Sequence, residues 1–210
     1  MGDRVDALAQ SVDPQTVTAS GDLGGDDSQL VETARQGDRS AFGRLYERYA
    51  RMVHGILLAR VPLSEVDDLV HDAFLQALRQ LHTLRDTARF GAWLGAIARN
   101  RAKDYHRHSV EQVDLPDDLS EATKQGGAGS RSRSQEDDEE ARFLLAAIRE
   151  LPEAYREPLL LRLVEGMTGP EIAARTGMTH GSVRVTLHRG MQQLREKLAR
   201  SSRSPRASPG

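Results

Sequence analysis

The 210-residue sequence has no cysteine. That removes disulfides, thiolate zinc sites and thiol nucleophiles together, so any catalysis would need other groups. Long apolar runs are absent as well. No stretch approaches the roughly 20 apolar residues that cross a bilayer, and the start, from Met1 to Asp27, lacks the basic and apolar regions of a secretion signal. A protein that is cytoplasmic and not inserted in a membrane is expected. Net positive charge is lacking too: the formal charge is −2. A uniformly basic nucleic-acid coat is thereby excluded, and any nucleic-acid binding must come from locally concentrated charge. With 38% hydrophobic and 29% charged residues, the length suits one or two small domains and not a large enzyme core.

Enzyme signatures are missing. The chain has no Gly-x-Gly-x-x-Gly and no Walker sequence. His71 with Asp72, and His106 with His108, come nearest to metal-ligand pairs, but neither has a third ligand close by. Neither cofactor nor metal is expected. No segment alternates apolar and polar residues as a half-buried strand does, so the fold class is all-α.

The composition divides the chain. Residues 1–25 and 201–210 are polar and predicted to be disordered. Residues 109–138 hold Gly126-Gly127-Ala128-Gly129-Ser130 and lead into the acidic run 136–140, and read as a flexible linker. Two small helical domains remain, 26–108 and 139–200. The first has Phe42, Leu45, Tyr49, Val53 and Ile56 at helical spacing. Ser64 with Asp67 resembles a capping box opening a helix whose inner face holds Val66, Leu69, Val70, Phe74, Leu78 and Leu81. A third segment turns Phe90, Leu94, Ile97, Ala98 and Tyr105 inward and Arg99, Arg101, Lys103 and Arg107 outward, against only Asp104. Trp93 and Phe90 are assigned to the core by the same period, although bases could stack on such rings.

In the second domain Pro158 predicts a kink or a late helix start, and Glu153 and Glu157 read as solvent-exposed. The most specific signal follows. Thr168 and Glu171 frame a short helix with Ile172 and Ala173 inward, Gly177 ends it, and Thr179 caps a longer helix carrying Val183, Leu187, Met191, Leu194 and Leu198. This is a helix-turn-helix pattern, and glycine suits its corner. From Thr179 to Arg200 five basic residues stand against Glu196 alone, the local positive charge that the overall balance conceals. The plainer reading is a three-helix bundle with a solvated basic face.

Several segments now resemble one family. Leu151-Pro152-Glu153, Glu171-Ile172-Ala173, Gly181-Ser182-Val183-Arg184 and Leu187-His188-Arg189-Gly190 are similar to the C-terminal domain of extracytoplasmic-function sigma factors of the sigma-70 superfamily. Asp67-Asp68-Leu69-Val70-His71-Asp72-Ala73-Phe74 resembles their polymerase-binding helix, with His71 where relatives often carry glutamine. Phe90-Gly91-Ala92-Trp93-Leu94 and Ile97-Ala98-Arg99-Asn100-Arg101-Ala102-Lys103-Asp104-Tyr105 resemble the segment reading the downstream promoter element.

The resemblance implies a non-catalytic initiation subunit that binds promoter DNA and core RNA polymerase, through the beta-prime clamp helices and the beta flap, and that is held by an anti-sigma factor. Asp67, Asp68, Asp72 and Gln76 would meet polymerase. Arg85, Asp86 and Arg89 of the loop at 84–89, with Asn100, Arg101, Lys103 and Arg107, would hold the downstream element as a melted strand. Arg175, Thr179, Ser182, Arg184, Val185, His188 and Arg189 would meet the upstream element as duplex, some on phosphate and some on base edges. The alternative is a helix-turn-helix activator or repressor that binds duplex DNA without core polymerase.

Overall fold

The structure, a computed structural model, describes residues 23–113 and 135–203. Most of the predicted N-terminal extension, linker and tail lies outside them. Within them the secondary structure is helical, without strands: α1 (Leu23–Arg35), α2 (Arg39–Leu58), α3 (Leu63–Gln80), two 3₁₀ turns (Leu81–Thr83 and Thr87–Arg89), α4 (Phe90–Val113), α5 (Gln135–Arg149), α6 (Glu153–Leu163), α7 (Gly169–Thr176) and α8 (His180–Arg203).

The expected stripes form the core of the first domain. Leu45, Val53, Ile56, Phe90 and Leu94 are fully buried between α2, α3 and α4, each such side chain contributing about 1.5–3 kcal/mol against exposure. Leu78 departs from the pattern and faces solvent. The α3 capping box is also absent. Helix α3 starts after Pro62 with no side-chain cap, and the Ser64 hydroxyl donates instead to Glu65. Helix α1, too sparse in apolar residues to show a stripe, buries Leu30, Val31 and Ala34. It is fixed by Asp27, a buried carboxylate that accepts from the Tyr49 hydroxyl at 2.5 Å and pairs with Arg48.

The second domain corrects three expectations. The acidic run 136–140 belongs to α5 and not to the linker; acidic residues favour the first turns of a helix, where unpaired amides and the macrodipole attract negative charge. Helix α8 runs to Arg203, into the segment expected as tail. Helix α6 starts at Glu153 and continues through Pro158, so no late start occurs. The missing amide is offset by packing, because Leu159, Leu160 and Leu161 are all fully buried. Three consecutive residues cannot share one helix face, so α6 must be covered on more than one side. Two glycines make that possible. A Cβ at Gly190 of α8 would lie 3.1 Å from Leu159, and one at Gly55 of α2 would lie 2.7 Å from Leu161. Helix α6 is therefore sandwiched between its own domain and the first one, and the two predicted domains pack on each other.

Candidate nucleic-acid and polymerase interfaces

The helix-turn-helix is built as its residues dictate. The Thr168 hydroxyl accepts from the Glu171 amide at 3.3 Å, while the Glu171 carboxylate accepts from the Thr168 amide at 2.8 Å, completing the capping box. The Thr168 amide holds the Glu171 carboxyl below the usual carboxylate range. Gly177 closes α7 at φ +75°, a left-handed conformation that costs residues with a Cβ roughly 1–2 kcal/mol. Thr179 then accepts from the Ser182 amide at 3.1 Å and opens α8. Val183 and Leu194 are buried, with Leu187, Met191 and Leu198 half-buried against the core. Thr179, Ser182, Arg184, Val185, His188 and Arg189 are all exposed near the N-terminal end of α8. This is the part of a recognition helix that meets base edges in the major groove. Val185, 48% exposed, presents an apolar surface among them.

The residues expected at the downstream element span the loop after α3 and α4. Leu81 and Leu84 are buried and anchor the loop, leaving Arg85, Asp86 and Arg89 exposed. Asp86 turns out to order it. Its carboxylate accepts from the Ala88 amide at 3.1 Å and lies 3.3 Å from Arg89. On α4, Asn100, Lys103 and Arg107 are exposed at spacings of three and four, which puts them on one face. Arg107 reaches Asp104 at 2.8 Å. Arg101 sits off that face, half-buried, with a buried Nε that has no hydrogen-bond partner. Phe90 is fully buried and Trp93 half-buried beside it, ring centroids 5.9 Å apart, as the helical period predicts.

On α3, Asp67, Asp68 and Asp72 are exposed and Gln76 is half-buried. Leu75 and Leu78, 37% and 45% exposed, lie on the same helix within two turns of the acids. Sequence reasoning missed both as surface residues. The available signal was Leu75, which falls outside the buried period set by Val66, Val70, Phe74 and Ala77.

Three residues lie at the contact between the domains, against expectation. Arg99 was placed on the outer basic face, and Glu157 was read as exposed. Instead the Arg99 guanidinium spans the buried Glu157 carboxylate with Nε at 3.1 Å and Nη2 at 2.6 Å, and Arg60 joins at 2.8 Å. A buried carboxylate needs such partners, because desolvation is costly without them. Arg175, expected at DNA phosphate, is half-buried: it donates to the Arg48 carbonyl at 2.7 Å and stands over the Tyr49 ring at 5.9 Å. Arg149 donates to the carbonyls of Leu58 at 3.0 Å and Val61 at 2.6 Å. His54 lies 2.6 Å from the buried Glu165, whose carboxylate pushes the imidazole pKa up.

The capped helix-turn-helix, the basic helix of the other domain and the acidic α3 surface together define a DNA-reading subunit whose two modules lie in one chain. Sigma-70 region 2 matches residues 45–110 and Sigma-70 region 4 matches residues 143–194. The chain is 30% identical over 179 residues to the ECF RNA polymerase sigma-E factor of Haemophilus influenzae, covering 82% of this chain and 95% of that protein. To the ECF RNA polymerase sigma-E factor of Escherichia coli K12 it is 32% identical over 181 residues, covering 82% and 94%. A solved complex of CnrH with the cytosolic domain of CnrY is similar at 26% identity and TM-score 0.57, over 85% of this chain and 99% of that one. The chain belongs to the extracytoplasmic-function sigma factors of the sigma-70 family. It is a sigma factor that binds core RNA polymerase and directs promoter recognition, and the activator or repressor reading is not favoured. Proteins of this family are non-catalytic initiation subunits. Among the described residues no helix is long and apolar enough to cross a membrane.

Proposed function

We propose the following division of labour for this sigma factor. Residues 139–200 read the upstream element as duplex. Arg184, Val185, His188 and Arg189 face base edges, and Thr179 and Ser182 hold phosphate. Residues 26–108 bind polymerase through Asp67, Asp68, Asp72 and Gln76 and hold the melted downstream strand with Arg85, Asp86, Arg89, Asn100, Arg101, Lys103 and Arg107. The subunit acts in the cytoplasm and does no chemistry itself. By analogy with CnrH, solved with the cytosolic domain of CnrY, a protein inhibitor is proposed as a further partner.

The observation that carries this reading is the pairing of two exposed cationic helix faces, one on α4 and one on α8, within the two family-matched segments. The closed arrangement then has a functional meaning. Sites one duplex turn apart are already separated by roughly 34 Å, whereas a Cβ at Gly177, the helix-turn-helix corner, would lie 2.9 Å from Ala92 at the start of α4. Engaging both elements requires the domains to part, and the segment between them then sets the tolerated spacing. Arg175 would leave the Arg48 carbonyl for phosphate in that step.

Transcription in vitro with core polymerase tests the proposal. Arg184→Glu with Arg189→Glu is expected to abolish start-site choice while core binding persists; equal loss of both would contradict the assignment of roles.

A further inference from the structure

Arg35 stands in the last turn of α1, ahead of the 45–110 segment that matches region 2. Its side chain reaches the loop between α3 and α4. Nε donates to the Leu81 carbonyl at 3.2 Å and Nη2 donates to the Leu84 carbonyl. Nη1 pairs with Glu32 at 3.1 Å, which fixes the planar guanidinium on its own helix. The two carbonyls flank the point where the first 3₁₀ turn ends and the chain becomes extended at Leu84 (ψ 112°), immediately before Arg85, Asp86 and Arg89. A rigid fork of donors on two loop carbonyls restrains direction as well as distance, which an ammonium cannot do. Helix α1 is itself held by the buried Asp27, through Tyr49 and Arg48.

We infer that Arg35 is a positioning residue for promoter opening: from outside the matched segment, it fixes the 84–89 loop in the shape that receives the downstream strand. The inference rests on the proposed role of that loop. Arg35 itself touches no DNA; its effect is on how much of the population has the loop ready. If loss of the fork lowers the ready population to roughly a tenth, apparent affinity for the strand falls about tenfold.

The test uses the full chain bound to core polymerase and a fork-junction DNA with the downstream element single-stranded. Arg35→Gln is expected to lower fork-junction affinity about tenfold while affinity for core and for upstream duplex stays unchanged, with Arg35→Lys intermediate. Amide hydrogen exchange should quicken at 84–89 and not in α8. If Arg35→Gln leaves the affinity intact while Arg85→Ala with Arg89→Ala reduces it, the positioning role is overturned and the loop's role stands. If the double variant has no effect either, the loop's role fails and the inference with it. Uniform loss of all three affinities, or uniformly faster exchange, would overturn it in favour of a scaffold role for α1.

Discussion

Arg99 of α4 and Glu157 of α6 form a two-pronged ion pair across the domain contact, with 3.1 and 2.6 Å between the paired atoms. Residues 114–152, α5 included, lie between these helices in sequence, so the pair does not follow from local chain geometry. Its two sides differ. The Glu157 side chain is only 8% exposed, whereas those of Arg99 and Arg60 are 29% and 17% exposed. When the domains part, all three groups can return to water, so the pair stabilises docking more than either domain's fold.

Glu157→Gln should therefore open the molecule without unfolding it. Removing one partner of a buried ion pair costs about 3–5 kcal/mol, and the partial exposure of both arginines puts this case at the low end. Small-angle scattering should give a larger radius of gyration, and the free protein should bind upstream duplex more tightly. An unchanged radius would mean that the pair does not control docking.

Gly55→Ala approaches the same contact sterically. Within the last turn of α2, alanine still favours the helix over glycine, by up to about 1 kcal/mol. In the closed molecule its Cβ would meet Leu161 at 2.7 Å and Glu165 at 3.0 Å, both across the contact. The expected outcome is a more open protein in which the first domain is at least as stable, read by scattering together with thermal unfolding. A variant as compact as the parent would show that Leu161 has room to move.

The contrast between these residues and the exposed face of α8 explains what could be seen in the sequence. Thr168, Glu171, Gly177 and Thr179 act within a few residues of themselves, so their spacing alone predicted the caps and corner that form. Arg184 and His188 were legible because a helical period assigns faces without knowledge of a partner. Glu157, Arg99 and Arg175 were not, because whether a charged side chain meets water or a distant carboxylate or carbonyl depends on tertiary docking. One trace was present: Leu159-Leu160-Leu161 is apolar on every side, the mark of a helix covered all round. Helix α1 escaped notice because its burial rests on three small or medium apolar residues and on a buried Asp27, which no hydrophobic period can reveal.

The capping box of α7 gives a separate expectation. Thr168→Ala removes the hydroxyl that accepts from the Glu171 amide, a loss worth about 1 kcal/mol at a helix start. Because this helix sets the corner from which α8 projects, upstream-duplex affinity should fall several-fold, with core binding unchanged. Thr168→Ser, which keeps the hydroxyl, should restore most of it. Equal affinity in the parent and Thr168→Ala would mean that α8 holds its place without the cap.

The His54 and Glu165 pair is expected to make docking pH-dependent. Glu165 lies just past the C-terminal end of α6, Arg51 on α2 lies 3.9 Å from the same carboxylate, and Asp67 on α3 adds a further pull. Glu165, across the contact, raises the His54 pKa in the closed state, above the roughly 6.5 of a free imidazole, whereas Asp67 belongs to the same domain as His54 and acts in either state. The contribution to closure is thus fully present below about pH 6.5 and is lost as pH rises through the raised value. Because the chain has no cysteine, dyes placed through Gln80→Cys and Gln192→Cys would report the distance between α3 and α8 by energy transfer. Transfer should decline as pH rises above about 6.5 in the parent protein, while in His54→Gln it should stay flat. A His54→Gln variant with the parent's slope would assign the pH dependence to another group.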